Sequence, residues 1–247
     1  MSIFVDQECR IMKKLVSIII IVFYSQFIFA QGFAFGFKTG ITTAFQKWAS
    51  YSARSPLLNP TGNIYIESIS EENKNALFVQ AGYHIKGSQI TNRFGGNTKG
   101  SIDKRKFKFH NISLMAGAKQ KKDWGDAKKA YYGIGFRGEF THKTNLEDYV
   151  ELNKQFPIYP HDGAVKRLTY GFTLSGGLEM PITELIGGVF EISVNPDFGQ
   201  QYFQPADPRP YTDAWGREFY IRENKIVNIT IEVTLGMRFL YKVIYVD

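Results

Sequence analysis

The sequence predicts an all-β chain, an eight-stranded antiparallel up-and-down transmembrane β-barrel with short periplasmic turns and long extracellular loops. Three observations carry that expectation. Apolar and polar residues alternate with period two in segment after segment, short and long connections alternate between those segments, and an apolar run near the N-terminus reads as an export signal. Composition agrees: aromatic residues make up 15% of the chain and glycine contributes 23 residues, and rings favour strands while glycine marks turns and tight barrel positions. The mean hydropathy of -0.22 is low enough for a soluble protein, as it is for a barrel that turns its polar residues inward.

Lys13 and Lys14 precede an apolar run over residues 15–29, which Ala30 and Gln31 follow. A charged start, an apolar stretch and a small residue at the cut make a secretory signal. Residues 1–30 are therefore read as a signal peptide, with Met12 as the true start, and residues 31–247 as the barrel. The run is shorter than the roughly 20 apolar residues of a spanning helix; an uncleaved inner-membrane anchor is the alternative. Ile28 is larger than the residue usual three positions before a cut, which blurs the cleavage point more than the signal. Cys9 lies upstream of the run, so it is no lipidation site, and the exported chain has no cysteine for disulfides or thiolate metal sites. Cleavage removes Arg10, Lys13, Lys14, Asp6 and Glu8, so the net charge of +7 falls by one. A mildly basic exported barrel suits phosphate-rich lipid and gives no reason to expect a nucleic-acid partner.

The strands follow in order. Phe33, Phe35 and Phe37 open the series, and a weaker strand lies near residues 64–70. Leu77, Val79, Ala81, Tyr83 and Ile85 alternate with Gln80, Gly82, His84 and Lys86, and a second weak strand lies near residues 107–119. Tyr132, Ile134 and Phe136, then Leu168, Tyr170, Phe172 and Leu174, then Phe190, Ile192 and Val194 keep the same beat. The clearest segment is the last, where every second residue from Val227 to Tyr241 is apolar and nearly all the residues between are polar or small. Short connections at 71–75, 120–127 and 181–184 alternate with long ones at 46–63, 91–104, 143–164 and 199–223, the layout of bacterial outer-membrane barrels. No segment has a helical period. The alternative is a soluble eight-stranded barrel with an apolar cavity; strand length, the export signal and the lack of a terminal helix favour the membrane.

If the apolar face of each strand meets lipid, Lys38, His84, Lys86, Arg137, Glu139, Arg167, Glu179, Glu191, Glu232 and Arg238 point inside, with the two signs nearly balanced. An eight-stranded barrel has an interior just wide enough to be filled by side chains, so these groups should pair across it. The first and last strands adjoin, which puts Lys38 beside Glu232 at mid-height.

Other candidates are weaker. The histidines His84, His110, His142 and His161 show no metal-ligand spacing, and neither a metal nor a cofactor is expected. His161 and Asp162 lie near Tyr159 in a long connection without a serine in a defined relation to them, so they read as solvated loop residues and not as a lipid-modifying site. Lys104, Arg105, Lys106 and Lys108, with Lys99 nearby and Phe107 and Phe109 beside them, would suit the phosphates of lipopolysaccharide, or stand as a solvated loop base. Tyr202, Phe203, Tyr211, Trp215 and Tyr220 make the connection at 199–223 a candidate for folding over the mouth, meeting a partner or packing against the neighbouring loops, and Trp48 and Trp124 read as interfacial anchors.

Near the end of the chain Thr234, Gly236, Phe239 and Tyr241 set a polar residue, a glycine two positions on and two alternating aromatics in the last strand. This resembles the C-terminal signal that the barrel-assembly machinery reads, although residues 242–247 extend past the second aromatic. The segments Gly36, Phe37, Lys38, Thr39, Gly40 and Gly82, Tyr83, His84, Ile85, Lys86, Gly87, Ser88 extend the likeness. With the signal ending, they are similar to the PorT-like outer-membrane β-barrels of Bacteroidota, some members of which take part in protein secretion or gliding. The resemblance implies fold and location alone. The expected function is a non-enzymatic scaffold or accessory subunit of an envelope or secretion complex, or a structural envelope protein, in outer-membrane lipid. The alternatives are a narrow pore for small solutes and a lipid-modifying enzyme.

Overall fold

The computed structural model describes residues 32–48, 54–70, 73–94, 101–125, 127–155, 159–212 and 216–242. The export signal and Trp215 lie outside the described residues. Eight long strands form the wall: β1 (Gly32–Trp48), β2 (Leu58–Ile69), β3 (Asn75–Phe94), β4 (Ser101–Asp123), β5 (Lys129–Thr144), β6 (Leu168–Pro181), β7 (Ile186–Pro196) and β8 (Asn224–Lys242). Each pairs antiparallel with its neighbours in the chain. β8 pairs with β1 from Gly32↔Lys242 to Trp48↔Ile226, which closes the ring and leaves no free edge. The shortest strand has 11 residues, enough to cross a bilayer at the tilt of a barrel. The two segments with the faintest alternation are full strands, and β4, with 23 residues, is the longest of all.

Burial settles which face is inside. Phe35, Leu114, Phe136, Leu168 and Leu235 are 47%, 63%, 61%, 65% and 61% exposed, whereas Lys38, Glu67, Lys86 and Glu139 are 2% or less. A continuous apolar belt outside a polar interior is the reverse of a soluble ligand-binding barrel, and a patch of this extent is stable only against lipid. The alternation read from the sequence thus holds with its apolar face outward.

The turns at one end are tight. Between β2 and β3 Asn73 takes a positive φ of 49°, and its N–H bonds Ser70 O at 2.8 Å; between β4 and β5 Gly125 takes φ 71°. The other end carries more structure than long loops suggest. Arg54–Pro56 adds to β3 and Tyr202–Gln204 to β8, and Asp207–Thr212 pairs with Glu218–Ile221 as a separate hairpin. In that hairpin Arg209 and Tyr211 hydrogen-bond Asp207 and hold its carboxyl below the usual range. Two single-turn 3₁₀ segments, Leu146–Tyr149 and Asp162–Ala164, and a short helix, Val150–Gln155, occupy the third long connection, where no helical period was expected. Such pieces are too short to show a period.

Candidate functional site

The site is the lumen, which the inward residues fill with two ionic clusters. Nearer the tight turns, Glu67 of β2 takes Lys121 Nζ at 2.7 Å and Arg238 Nε at 2.7 Å, with Lys119 Nζ 3.5 Å away. Glu179 of β6 takes Lys121 at 2.9 Å and Arg238 at 3.4 Å. Glu191 of β7 takes Lys38 at 2.6 Å on one oxygen and the Tyr131 hydroxyl at 2.7 Å on the other. The ammonium of Lys119 also lies 4.8–5.0 Å from the ring centres of Tyr65, Phe78 and Tyr131, an attraction of the cation to the ring faces.

Nearer the long connections, Lys86 Nζ bridges Glu139 at 2.8 Å and Asp197 at 2.6 Å. Arg137 grips the same two carboxylates at 2.7 Å each. The His84 ring sits between Glu139 at 3.3 Å and Glu232 at 3.6 Å. Lys38, Lys86, Lys119, Lys121, Arg137 and Arg238 thus stand against Glu67, Glu139, Glu179, Glu191, Asp197 and Glu232, equal numbers of each sign. Near neutrality is what makes such burial tolerable, since an unpaired charge in this interior would cost several kcal/mol. Two glycines make room for the rings: a Cβ on Gly36 would lie 2.7 Å from the Tyr65 ring, and one on Gly177 2.6 Å from the Tyr131 ring.

Above the ions lies a neutral layer. Asn228 donates to Asp197 and to Gln201 at 2.9 Å each, Gln201 donates to Asn111 at 3.1 Å, and Thr141 donates to Asn111 at 2.7 Å. Above that, Ile90, Phe107, Phe109, Leu146, Tyr149, Val165, Tyr202 and Ile226 form a buried apolar cap, with Trp48, Leu152 and Tyr159 packed on it. Burial pushes the Tyr202 phenol up to about 12, and it donates to Gln204 at 2.8 Å. The mouth is therefore closed by apolar groups and the shaft by paired charges.

Most of the expected lumen residues stand where the alternation put them. Four expectations are corrected. Arg167 lies ahead of β6, 40% exposed at its side chain, and bonds Asp162 and Thr141 O, because the strand begins only at Leu168. Lys38 is paired with Glu191 and not with Glu232: in the β1–β8 ladder Lys38 faces Gly236, while Glu232 faces Thr42 and turns to His84. Trp48 is no lipid anchor, for its ring packs 5.9 Å from Phe107 and 6.2 Å from Tyr202, under the guanidinium of Arg54.

Arg105 leaves the basic run as well, since it alternates with the outward Lys104, Lys106 and Lys108 and lies over the Tyr159 ring. His161 packs edge-on against Tyr202. Glu67, Lys119, Lys121 and Asp197 were missed. Glu67 shares the parity of the inward Asn63 and Tyr65, and Lys119 is the last residue of the segment read at 107–119; Lys121 lies past that end, and Asp197 is a lone bridge residue just beyond β7. Thr234 faces inward, while Phe239 stacks on Phe35 and Tyr241 on Phe33 along the closing seam. Among the described residues no three of His, Cys, Asp and Glu are grouped to hold a metal.

No protein-family model matches the chain, PorT-like or other, and no curated protein does. Solved structures do. The outer membrane protein OprG from Pseudomonas aeruginosa superposes with a TM-score of 0.51 at 8% identity, covering 87% of this chain and 98% of that one. Neisserial surface protein A gives 0.48 at 10% identity over 84% and 96%. The outer membrane protease OmpT from Escherichia coli gives 0.40 at 9% identity over 86% and 97%. At such identities the likeness is one of fold: this chain has the architecture of the small outer-membrane β-barrels.

Proposed function

We propose that the protein is an integral outer-membrane barrel that conducts nothing and acts as a non-enzymatic scaffold or accessory subunit of an envelope or secretion machine. The observation that carries this reading is the filled shaft under an apolar cap. A pore must leave a continuous water path, and here each half of the shaft is crossed by ion pairs at 2.6–2.9 Å. With no passage to offer, the chain has its outer surfaces left for function, and the aromatic hairpin at the long-connection end suits contact with another protein. Export through a cleaved signal, kinship with the PorT-like barrels and recognition by the barrel-assembly machinery through Thr234, Gly236, Phe239 and Tyr241 belong to the same proposal.

The test is affinity purification of the tagged protein from detergent-solubilised membranes, with liposome swelling in small sugars run alongside. A stoichiometric envelope partner without swelling is the expected result. A lone protein that admits sugars would replace this reading with that of a narrow pore.

A further inference from the structure

Beyond the apolar belt, the outward face of β4 carries cations that the lumen does not use. Outward residues of a strand repeat about every 7 Å, and here they are Lys104, Lys106, Lys108 and His110, directly above Ile112 and Leu114. A β-bulge adds to them. Pairing between β4 and β5 runs His110↔Lys143 and then Asn111↔Thr141, so His142 is an extra residue in the ladder. In a regular strand His142 and Lys143 would face opposite ways; the bulge turns both outward and keeps Thr141 and Thr144 inside.

The patch is built on fixed backbone. The side-chain oxygen of Asn145 accepts from Lys108 N–H at 2.7 Å and its amide donates to Lys106 O at 2.8 Å, which the Tyr149 hydroxyl also bonds at 2.7 Å. The Tyr83 hydroxyl lies 2.6 Å from His110 Nδ1, and the Tyr83, His110 and His142 rings lie 5.9–6.2 Å apart. Among the described residues no carboxylate lies within ion-pair distance of Lys104, Lys106, Lys108 or Lys143, and beside Phe140 the apolar wall continues with exposed Leu168 and Tyr170. Like charges gathered on one rigid face repel one another, and an anion relieves that repulsion.

We propose that this patch binds the phosphate groups of an anionic glycolipid of the outer leaflet, whose acyl chains lie against Ile112, Leu114 and Phe140. The inference rests on the outer-membrane reading. The apolar wall immediately below the cations commits the site to a lipid, because free phosphate would gain nothing from it.

Native mass spectrometry of the folded protein tests it, with release from micelles holding diphosphorylated lipid A, the same lipid without phosphates, or inorganic phosphate alone. The protein should retain the diphosphorylated lipid selectively, and K104Q/K106Q/K108Q should reduce retention about tenfold or more, since each lysine near an anionic surface is worth about a factor of five. Lys47→Gln on another part of the rim should leave retention unchanged, and Lys106→Glu alone, at an exposed position, keeps the test open should the triple variant fold poorly. Equal retention of the dephosphorylated lipid, unchanged retention in both variants, or displacement by inorganic phosphate would overturn the proposal. Folding into vesicles is checked first by gel mobility. Wild-type protein that does not insert overturns the outer-membrane reading together with this site, whereas inserted protein with no phosphate preference overturns the site alone.

Discussion

Glu67 gathers Lys119, Lys121 and Arg238 within 3.5 Å at a side chain with no exposure. A carboxylate so placed cannot be removed cheaply, because its loss strands buried cations with nothing to replace water. The same reasoning applies to Lys38 and Glu191, a pair at 2.6 Å that Tyr131 and, at 3.9 Å, Lys119 flank. Lys38→Met or Glu191→Met alone should each cost about 3–5 kcal/mol in urea unfolding from micelles, and the double variant much less than the sum. A cycle of Lys38→Met with Glu232→Met should show weaker coupling, because Glu232 is held by His84. Side-chain direction was legible at this scale and partnership was not. Alternation sends Lys38, Glu191 and Glu232 inward, but which carboxylate a lysine reaches depends on barrel stagger and on which strands face each other across the shaft. Nothing in a single sequence states either.

The wall elements were legible wherever one face is apolar throughout, as in β8. They blurred where both faces turn polar. Lys104, Lys106 and Lys108 outside and Lys119 and Lys121 inside disguise the ends of β4, and Asn59, Thr61 and Asn63 with Pro60 obscure the start of β2. The cap was illegible for a different reason: its residues come from six separate stretches of chain, and Leu146 and Tyr149 supply one helical turn where a period needs several. The closing seam gives the prediction at this scale. Phe239 and Tyr241 stack on β1, at 5.4 Å from Phe35 and 4.7 Å from Phe33, so they join the two strands that must meet last as the ring closes. Phe239→Ala with Tyr241→Ala should lower the yield of folded protein in vesicles, measured by gel mobility, more than deletion of residues 243–247. Equal yields for the double variant and the wild type would remove the seam from the assembly signal.

At the scale of the molecule, an inverted arrangement of polarity, lipid-facing outside and ionic within, makes the barrel stable in one place only. Export should bring it there with its N-terminus at or near Gln31, which mass spectrometry of the protein recovered from outer membranes checks. Full-length chain held in the inner membrane would contradict the export reading. Closure by two layers also predicts a separation of roles: opening the cap with Trp48→Ala and Tyr202→Ala should loosen the long connections, seen as faster proteolysis there, while the ion clusters below still fill the shaft. A closed barrel depends on that filling, and single-channel recording of the purified protein in a planar bilayer tests it most directly. The expected result is no steady conductance in the wild type or in the cap variant, with openings appearing only when Glu67 and Glu139 are both replaced by alanine; large, steady channels in the wild type would contradict it.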